Sequence, residues 1–225
     1  MKRRTIIGFC GGLLAACTAA VAAYILAIRP WHLRWGSTDE ELDLSLPGDD
    51  LVPKPKLTAT HSITINASKT QIWPWLVQIG QGRGGFYSYD WIENAMGLDI
   101  HTSNQILPEH QDLKVGDLIP LSEDEFGVPV AILDPEKSLV LHGDTREPGP
   151  GIAPVMKEGD YMTTVWGFHL VPKGDGRTRL VERILIDWNE SPLNTLFYRV
   201  FLEPGSFIME QKMLRGIKER AERFT

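Results

Sequence analysis

Gly80, Gly82 and Gly85 stand at G-x-G-x-x-G spacing inside "WLVQIGQGRGGFYSYDWIEN", Trp75 to Asn94. That spacing marks a dinucleotide loop, where bare backbone approaches a pyrophosphate at a helix N-terminus. The chemistry needs a strand before the glycines, a helix opening after them, and an acidic residue about 20 positions further on. Here the preceding "KTQIWPWLVQI" carries Ile72, Trp73, Leu76 and Ile79 at helical spacing. The following "FYSYDW" is too aromatic to open a phosphate-binding helix, and no βαβ unit surrounds it. The glycines therefore read as a helix stop at Gly80 and a turn into a second helix. Arg83, held between glycines, is a candidate for an anion such as a lipid headgroup; simple solvent exposure is the plainer alternative.

The other chemical patterns are sparse. No two of His32, His61, His101, His110, His142 and His169 stand at i,i+4, and H-E-x-x-H is absent, so spacing supports no zinc site and no metal is expected. His101 and His110 flank "TSNQILPE" and could meet Asp99 or Glu109, but solvated loop positions are the simpler reading. His169 reads as a surface or hydrogen-bonded histidine rather than a base. G-x-S-x-G, Ser/His/Asp and Cys/His signatures are missing, and spacing identifies no carboxylate pair. Cys10 and Cys17 are the only cysteines, so the body has no disulfide framework or thiolate metal site. No cofactor is expected.

The elements that would position any site begin with an apolar run. After Lys2-Arg3-Arg4, residues Thr5 to Ile28 carry no charge. As a helix they would span roughly 36 Å against a hydrocarbon core of roughly 30 Å. "RPWHLRW", Arg29 to Trp35, suits a membrane–water interface. We read 1–35 as an uncleaved signal anchor in the cell membrane, N-terminus cytoplasmic and body outside. Ala20-Val21-Ala22 offers a signal-peptide cleavage site and "LLAAC" a lipobox at Cys17, but the apolar run continues past both. Residues 1–35 hold five basic side chains and no acidic one; the rest of the 225 residues hold 18 basic against 29 acidic. So acidic a body argues against nucleic acid as a partner. Residues 36–56, acidic and rich in Pro and Gly, read as a tether.

The body, 57–225, opens with a strand, "TATHSITINAS", then a helix capped by Ser68 and a short helix from Tyr89 to Met96. Apolar runs at Val115–Leu121, Val128–Asp134 and Ser138–Gly143 read as strands, and Tyr161–Val171 and Arg179–Trp188 as a hairpin about Asp175-Gly176. Ser206 to Phe224 reads as a long amphipathic helix, with Phe207, Met209 or Glu210, Met213, Leu214, Ile217 and Ala221 on one face. The order predicts an α+β fold, a curved antiparallel sheet around a long C-terminal helix. Glu182 and Arg183, adjacent on the last strand, must point to opposite faces.

This order, together with "WPWLVQIGQGRGGFYSYDWIEN", "PEHQDLKVGD" and the "TTVWGFHL"/"TRLVERI" hairpin, resembles the SRPBCC superfamily of START-like, helix-grip domains. It looks most like a membrane-anchored bacterial branch with no assigned activity. The resemblance implies a cavity between sheet and C-terminal helix, with Phe86, Tyr87, Tyr89 and Trp91 lining or gating its entrance, or else packing helix on sheet. It suggests that Arg183 rather than Glu182 faces the helix, with Glu93 or Asp90 as partner. Thr164, Trp166, Phe168 and Leu170 form the apolar face assigned to the cavity, opposite Met213 on the helix. The expected function is binding of a hydrophobic small molecule or lipid there, the ligand coming from the bilayer. A cyclase- or dehydratase-like enzyme with a pocket acid/base is the alternative. A scaffold with a filled core is the third. An aromatic pocket without converging titratable groups favours binding; two such groups within hydrogen-bonding reach favour the enzyme; a filled core opposes both.

Overall fold

The computed structural model describes residues 21–123, 126–147 and 159–223. Six strands form an antiparallel sheet in the order β1-β6-β5-β4-β3-β2. They are β1 (Leu57–Ile65), β2 (Leu118–Pro120), β3 (Gly127–Asp134), β4 (Ser138–Asp144), β5 (Met162–Gly174) and β6 (Arg177–Trp188). Asp175 and Gly176 both take positive φ between Gly174 and Arg177, which makes the two-residue turn whose twist suits a hairpin. The helices are α1 (Arg29–His32), α2 (Asp39–Leu42), α3 (Lys69–Val77), α4 (Asp90–Ala95), α5 (Pro192–Phe197) and α6 (Glu203–Glu222). Ser68 and Gln71 close a capping box on α3, as its sequence leads one to expect. α5 runs through a π-helical turn, Tyr198–Leu202, into α6.

One face of the sheet is covered by α3 and the C-terminal half of α6. Leu214, Ile217 and Ala221 recur at helical spacing and are buried with Ile72, Trp75 and Leu76 of α3 and Phe168 and Leu180 of the sheet. The N-terminal half of α6 does not join this packing, and the cavity lies beneath it.

The opposite face is covered by residues 36–52, a correction to the reading of 36–56 as a tether. Thr38 and Glu41 form a capping box that starts α2. Glu41 then takes two hydrogen bonds from Arg179, at 2.6 and 2.8 Å. Val52 packs with Val140, Val165 and Leu185. The backbone ahead of this strap pairs with the outer edge of β1: the Thr60 N–H donates to the Leu33 carbonyl at 2.8 Å and the Ser62 N–H to the Trp35 carbonyl at 3.1 Å. The sheet therefore has no bare edge along that stretch. Local composition suggested a linker because the strap has no period; it is held by individual contacts instead.

Among the described residues no helix is long and apolar enough to cross a membrane. Most of the expected span, residues 5–20, lies outside the described residues, as do both cysteines.

His169 sits on the strap-covered face, buried, with Nδ1 3.0 Å from Ser138 Oγ. Burial, reinforced by the Arg183 charge, pushes it down to about 4 from an ordinary 6.5. A depressed histidine stabilises fully above the unfolded value and loses that contribution as pH falls from 6.5 towards 4. Between pH 7.5 and 4.5 the native chain should lose about 2 kcal/mol more unfolding free energy than His169→Asn. Denaturant titrations at the two pH values measure this; equal losses would show that His169 is protonated without penalty.

Candidate functional site

Between the sheet and the N-terminal half of α6 lies a cavity of about 420 Å³. Its floor is the in-register apolar row of three strands: Leu57 and Ala59 of β1, Ile184 and Ile186 of β6, Met162, Thr164 and Trp166 of β5. Phe207, Met209 and Met213 of α6 form the roof. Phe86, Met96 and Leu98 close one end, and His32 and Leu33 the other flank.

One cluster interrupts this apolar wall. His61 and Glu182 are direct cross-strand partners on β1 and β6. His61 Nδ1 stands 3.0 Å from Glu182 Oε2 and 3.4 Å from Glu210 Oε2 on α6. His61 Nε2 is 2.9 Å from the His32 carbonyl oxygen. A carbonyl only accepts, so Nε2 carries the proton and Nδ1 faces the carboxylates. Trp166 Nε1–H donates to the other oxygen of Glu182 at 2.8 Å. Burial alone would lower His61, but the hydrogen bond to Glu182 and the charges of Glu210 and Glu182 hold it above its ordinary value. Burial, with Glu182 beside it, pushes Glu210 up to about 8.

Two further acids border the cavity. Glu203 takes Arg29 at 2.7 and 3.1 Å and Arg199 at 2.9 Å, yet its burial still raises the carboxyl above the usual range. Glu93 accepts from Ser88 Oγ at 2.5 Å, its second oxygen is buried without a partner, and burial raises it as well. Chemically, the site offers an apolar chamber with one strongly polar corner.

The residues named from sequence divide. Phe86, Trp166 and Met213 line the cavity, as does Thr164. Phe168 is fully buried beside Trp166, ring centres 5.1 Å apart, in the core behind the wall. Tyr87 is also core: its hydroxyl donates to the Trp75 carbonyl at 2.9 Å, and the Arg220 guanidinium lies 5.0 Å from its ring. Tyr89 precedes α4, its carbonyl accepting the Ile92 N–H at 2.8 Å, and lies outside the cavity lining. Trp91 is 71% exposed, on the solvent side of the same helix.

Arg183 is the main correction. It points to the strap-covered face, where Nη2 donates to the carbonyls of Glu41, Leu42 and Leu44 at 3.4, 3.5 and 3.1 Å, and Nη1 lies 3.7 Å from Asp49. Glu182 takes the helix side, so neither Glu93 nor Asp90 serves Arg183; Asp90 instead accepts from the Thr102 N–H and hydroxyl. Arg83 is likewise spent on the protein, donating to the carbonyls of Val77, Ile79 and His110. It caps the carbonyl end of α3. His101 meets Asp99 on the surface at 3.0 Å, and neither it nor His110 joins the cavity. Sequence reasoning missed His61 and Glu210. The available signal was position: His61 falls in register with Leu57, Ala59 and Ile63 on one strand face, and Glu210 three residues before Met213 on a buried helix face.

The glycine loop folds as a turn. Gly80 and Gly85 exchange backbone hydrogen bonds at 3.1 and 3.0 Å. The aromatics after it are aimed by Gly216 of α6, where an added Cβ would stand 2.3 Å from the Tyr87 carbonyl oxygen. Gly216→Ala should therefore melt several degrees lower, by about 1 to 2 kcal/mol, although alanine is the better helix former. A thermal melt at or above the native value would show that α6 and Tyr87 are not in close contact.

No family model matches the sequence, and no curated protein matches it. Solved structures do. A protein from Mesorhizobium loti is 14% identical, covering 75% of this chain and 99% of its own, with a TM-score of 0.44. A hypothetical protein from Helicobacter pylori is 10% identical over 79% and 95% of the two chains, TM-score 0.47. CalU16 from Micromonospora echinospora is 14% identical over 74% and 84%, TM-score 0.34. The architecture itself, a six-stranded antiparallel sheet with a long C-terminal helix, rests on this chain's own strand order and packing and is consistent with a helix-grip fold.

Proposed function

We propose that the chain binds a hydrophobic small molecule or lipid between sheet and α6, with the ligand's polar group at the His61–Glu182–Glu210 corner. The observation that carries this reading is the cavity of about 420 Å³, walled by apolar side chains that leave it open. An apolar ligand gains from leaving water for such a wall at about 25 cal/mol per Å² buried. The open cavity also counts against a scaffold with a filled core.

The route to the cavity favours a membrane source. His32 and Leu33 flank it and residues from Leu202 to Glu210 roof it, and the segments that carry them, 24–33 and 197–210, expose Leu26, Trp31, Phe197 and Phe201. Tyr24 and Arg29 tie the two segments together through the Arg199 carbonyl and Glu203. Residues 24–28 of the first segment end the uncharged run that begins at Thr5. An apolar surface joined to such a run suits a bilayer, which would put the anchor, the apolar outer face and the cavity side by side.

The converging imidazole and carboxylates favour a second reading, a cyclase- or dehydratase-like enzyme acting on the bound molecule. Chemical change of the ligand on incubation, lost in Glu210→Gln while binding persists, distinguishes it; a ligand recovered unaltered opposes it.

The binding reading is tested on the full chain extracted in detergent. Native mass spectrometry should find an apolar molecule bound, and Met213→Trp, which fills the roof, should weaken rebinding at least about tenfold without lowering the melting temperature. If no apolar molecule co-purifies and added lipids do not raise the melting temperature, the reading fails.

A further inference from the structure

Two carboxylates and an imidazole converge at the corner of the cavity. His61 Nδ1, Glu182 and Glu210 come from three elements, β1, β6 and α6, and their donor atoms all lie within 4.8 Å of one another. Among the described residues neither carboxylate pairs with a lysine or arginine. Two other buried acids are met by arginines, Glu203 by Arg29 and Arg199 and Glu41 by Arg179.

From this geometry we infer that His61, Glu182 and Glu210 are the ligands of a divalent transition-metal ion, such as Zn²⁺, Mn²⁺ or Fe²⁺, at the polar corner of the cavity. Three observations carry the assignment. Donor atoms about 2.1 Å from one ion stand about 3.0 Å apart at a right angle and about 3.4 Å apart at the tetrahedral angle. The separations from His61 Nδ1 are 3.0 and 3.4 Å. The second is charge: two carboxyl groups from separate elements face one imidazole in a buried corner, and a divalent ion bound there would offset both as carboxylates.

The third is support behind the ligands. His61 Nε2–H is held by the His32 carbonyl and the free oxygen of Glu182 by Trp166 Nε1–H, the outer contacts that orient ligating histidines and carboxylates. One imidazole and two carboxylates suit first-row ions better than Mg²⁺ or Ca²⁺, which prefer oxygen alone. Three protein ligands leave positions open towards the cavity, where an oxygen of a bound molecule can coordinate. The inference needs no apolar ligand and stands or falls apart from the preceding proposal.

The test uses the full, tag-free chain in detergent, stripped with a chelator. Zn²⁺ is titrated by calorimetry, and Co²⁺ by its visible absorption. One ion per chain should bind. His61→Ala and Glu210→Gln should each weaken binding at least about tenfold, and Trp166→Phe, which keeps all three ligands, by about 10- to 100-fold. Should His61→Ala fail to fold by circular dichroism, Glu210→Gln and Trp166→Phe decide, since the first keeps side-chain size and the second keeps an aromatic ring in place. No saturable binding, or affinities equal to the parent in Glu210→Gln and Trp166→Phe, overturns the assignment. Apolar-ligand binding measured in chelator stays informative in either case.

Discussion

Two adjacent charges on a central strand govern how this chain is covered. Glu182 and Arg183 follow one another on β6, so pleating sends them to opposite faces. β6 is flanked by β1 and β5, and both side chains are buried there. An ion taken out of water costs several kcal/mol unless its hydrogen-bonding capacity is met. Each face must therefore bring polar partners as well as apolar cover. On one side the strap brings the carbonyls of Glu41 and Leu44 and the carboxylate of Asp49 to Arg183. On the other, His61 and Trp166 serve Glu182 within a largely apolar cavity wall. Much of the fold beyond the bare sheet meets one of these two demands.

The glycine loop solves a different problem, close approach. Gly80 and Gly85 bridge the chain back on itself, and Arg83 then reaches three carbonyls, two of them at the end of α3. Tyr87 sits at φ 58, an uncommon conformation for a large side chain, and its carbonyl lies against Gly216. Its hydroxyl, bound to Trp75, fixes the ring in the core. The next helix thus leaves the loop with Phe86 turned to the cavity and Trp91 to solvent. The dinucleotide spacing is a by-product of a tight turn, with no anion in its logic.

What the sequence showed, and what it hid, follows from the range of the interactions. Strand alternation, the Ser68 cap, the Asp175-Gly176 turn and the α6 stripe are local, and each reads directly from a few neighbouring residues. Cavity-lining Trp166 and Met213 also follow from periodicity. Glu182 against Arg183 did not, because pleating says that they part but not which way. That choice depends on His61 across the ladder, 121 positions distant in the chain. The strap was missed for the same reason: its acidic, proline-rich residues have no period, and its arginine partners lie 138 or more positions away.

The cavity persists because its roof is held by polar contacts at fixed reach. An apolar space this large would ordinarily be lost to collapse of neighbouring side chains, since an unfilled core forfeits contacts along its whole lining. The C-terminal half of α6 has collapsed in that way, onto α3 and the sheet. The N-terminal half has not, and it carries Glu203 and Glu210, whose partners stand to one side of the cavity rather than across it. Glu203 is bound by Arg29 from the segment ahead of the strap and by Arg199 one turn away, and Glu210 meets His61 at the edge strand. Those lengths set the spacing between helix and sheet, and hydrophobic attraction cannot shorten them. The same salt bridge ties Arg29 to the roof. Segment 29–35 and the roof of the cavity are therefore tied together, and a shift of that segment relative to the body acts first on the helix that covers the cavity.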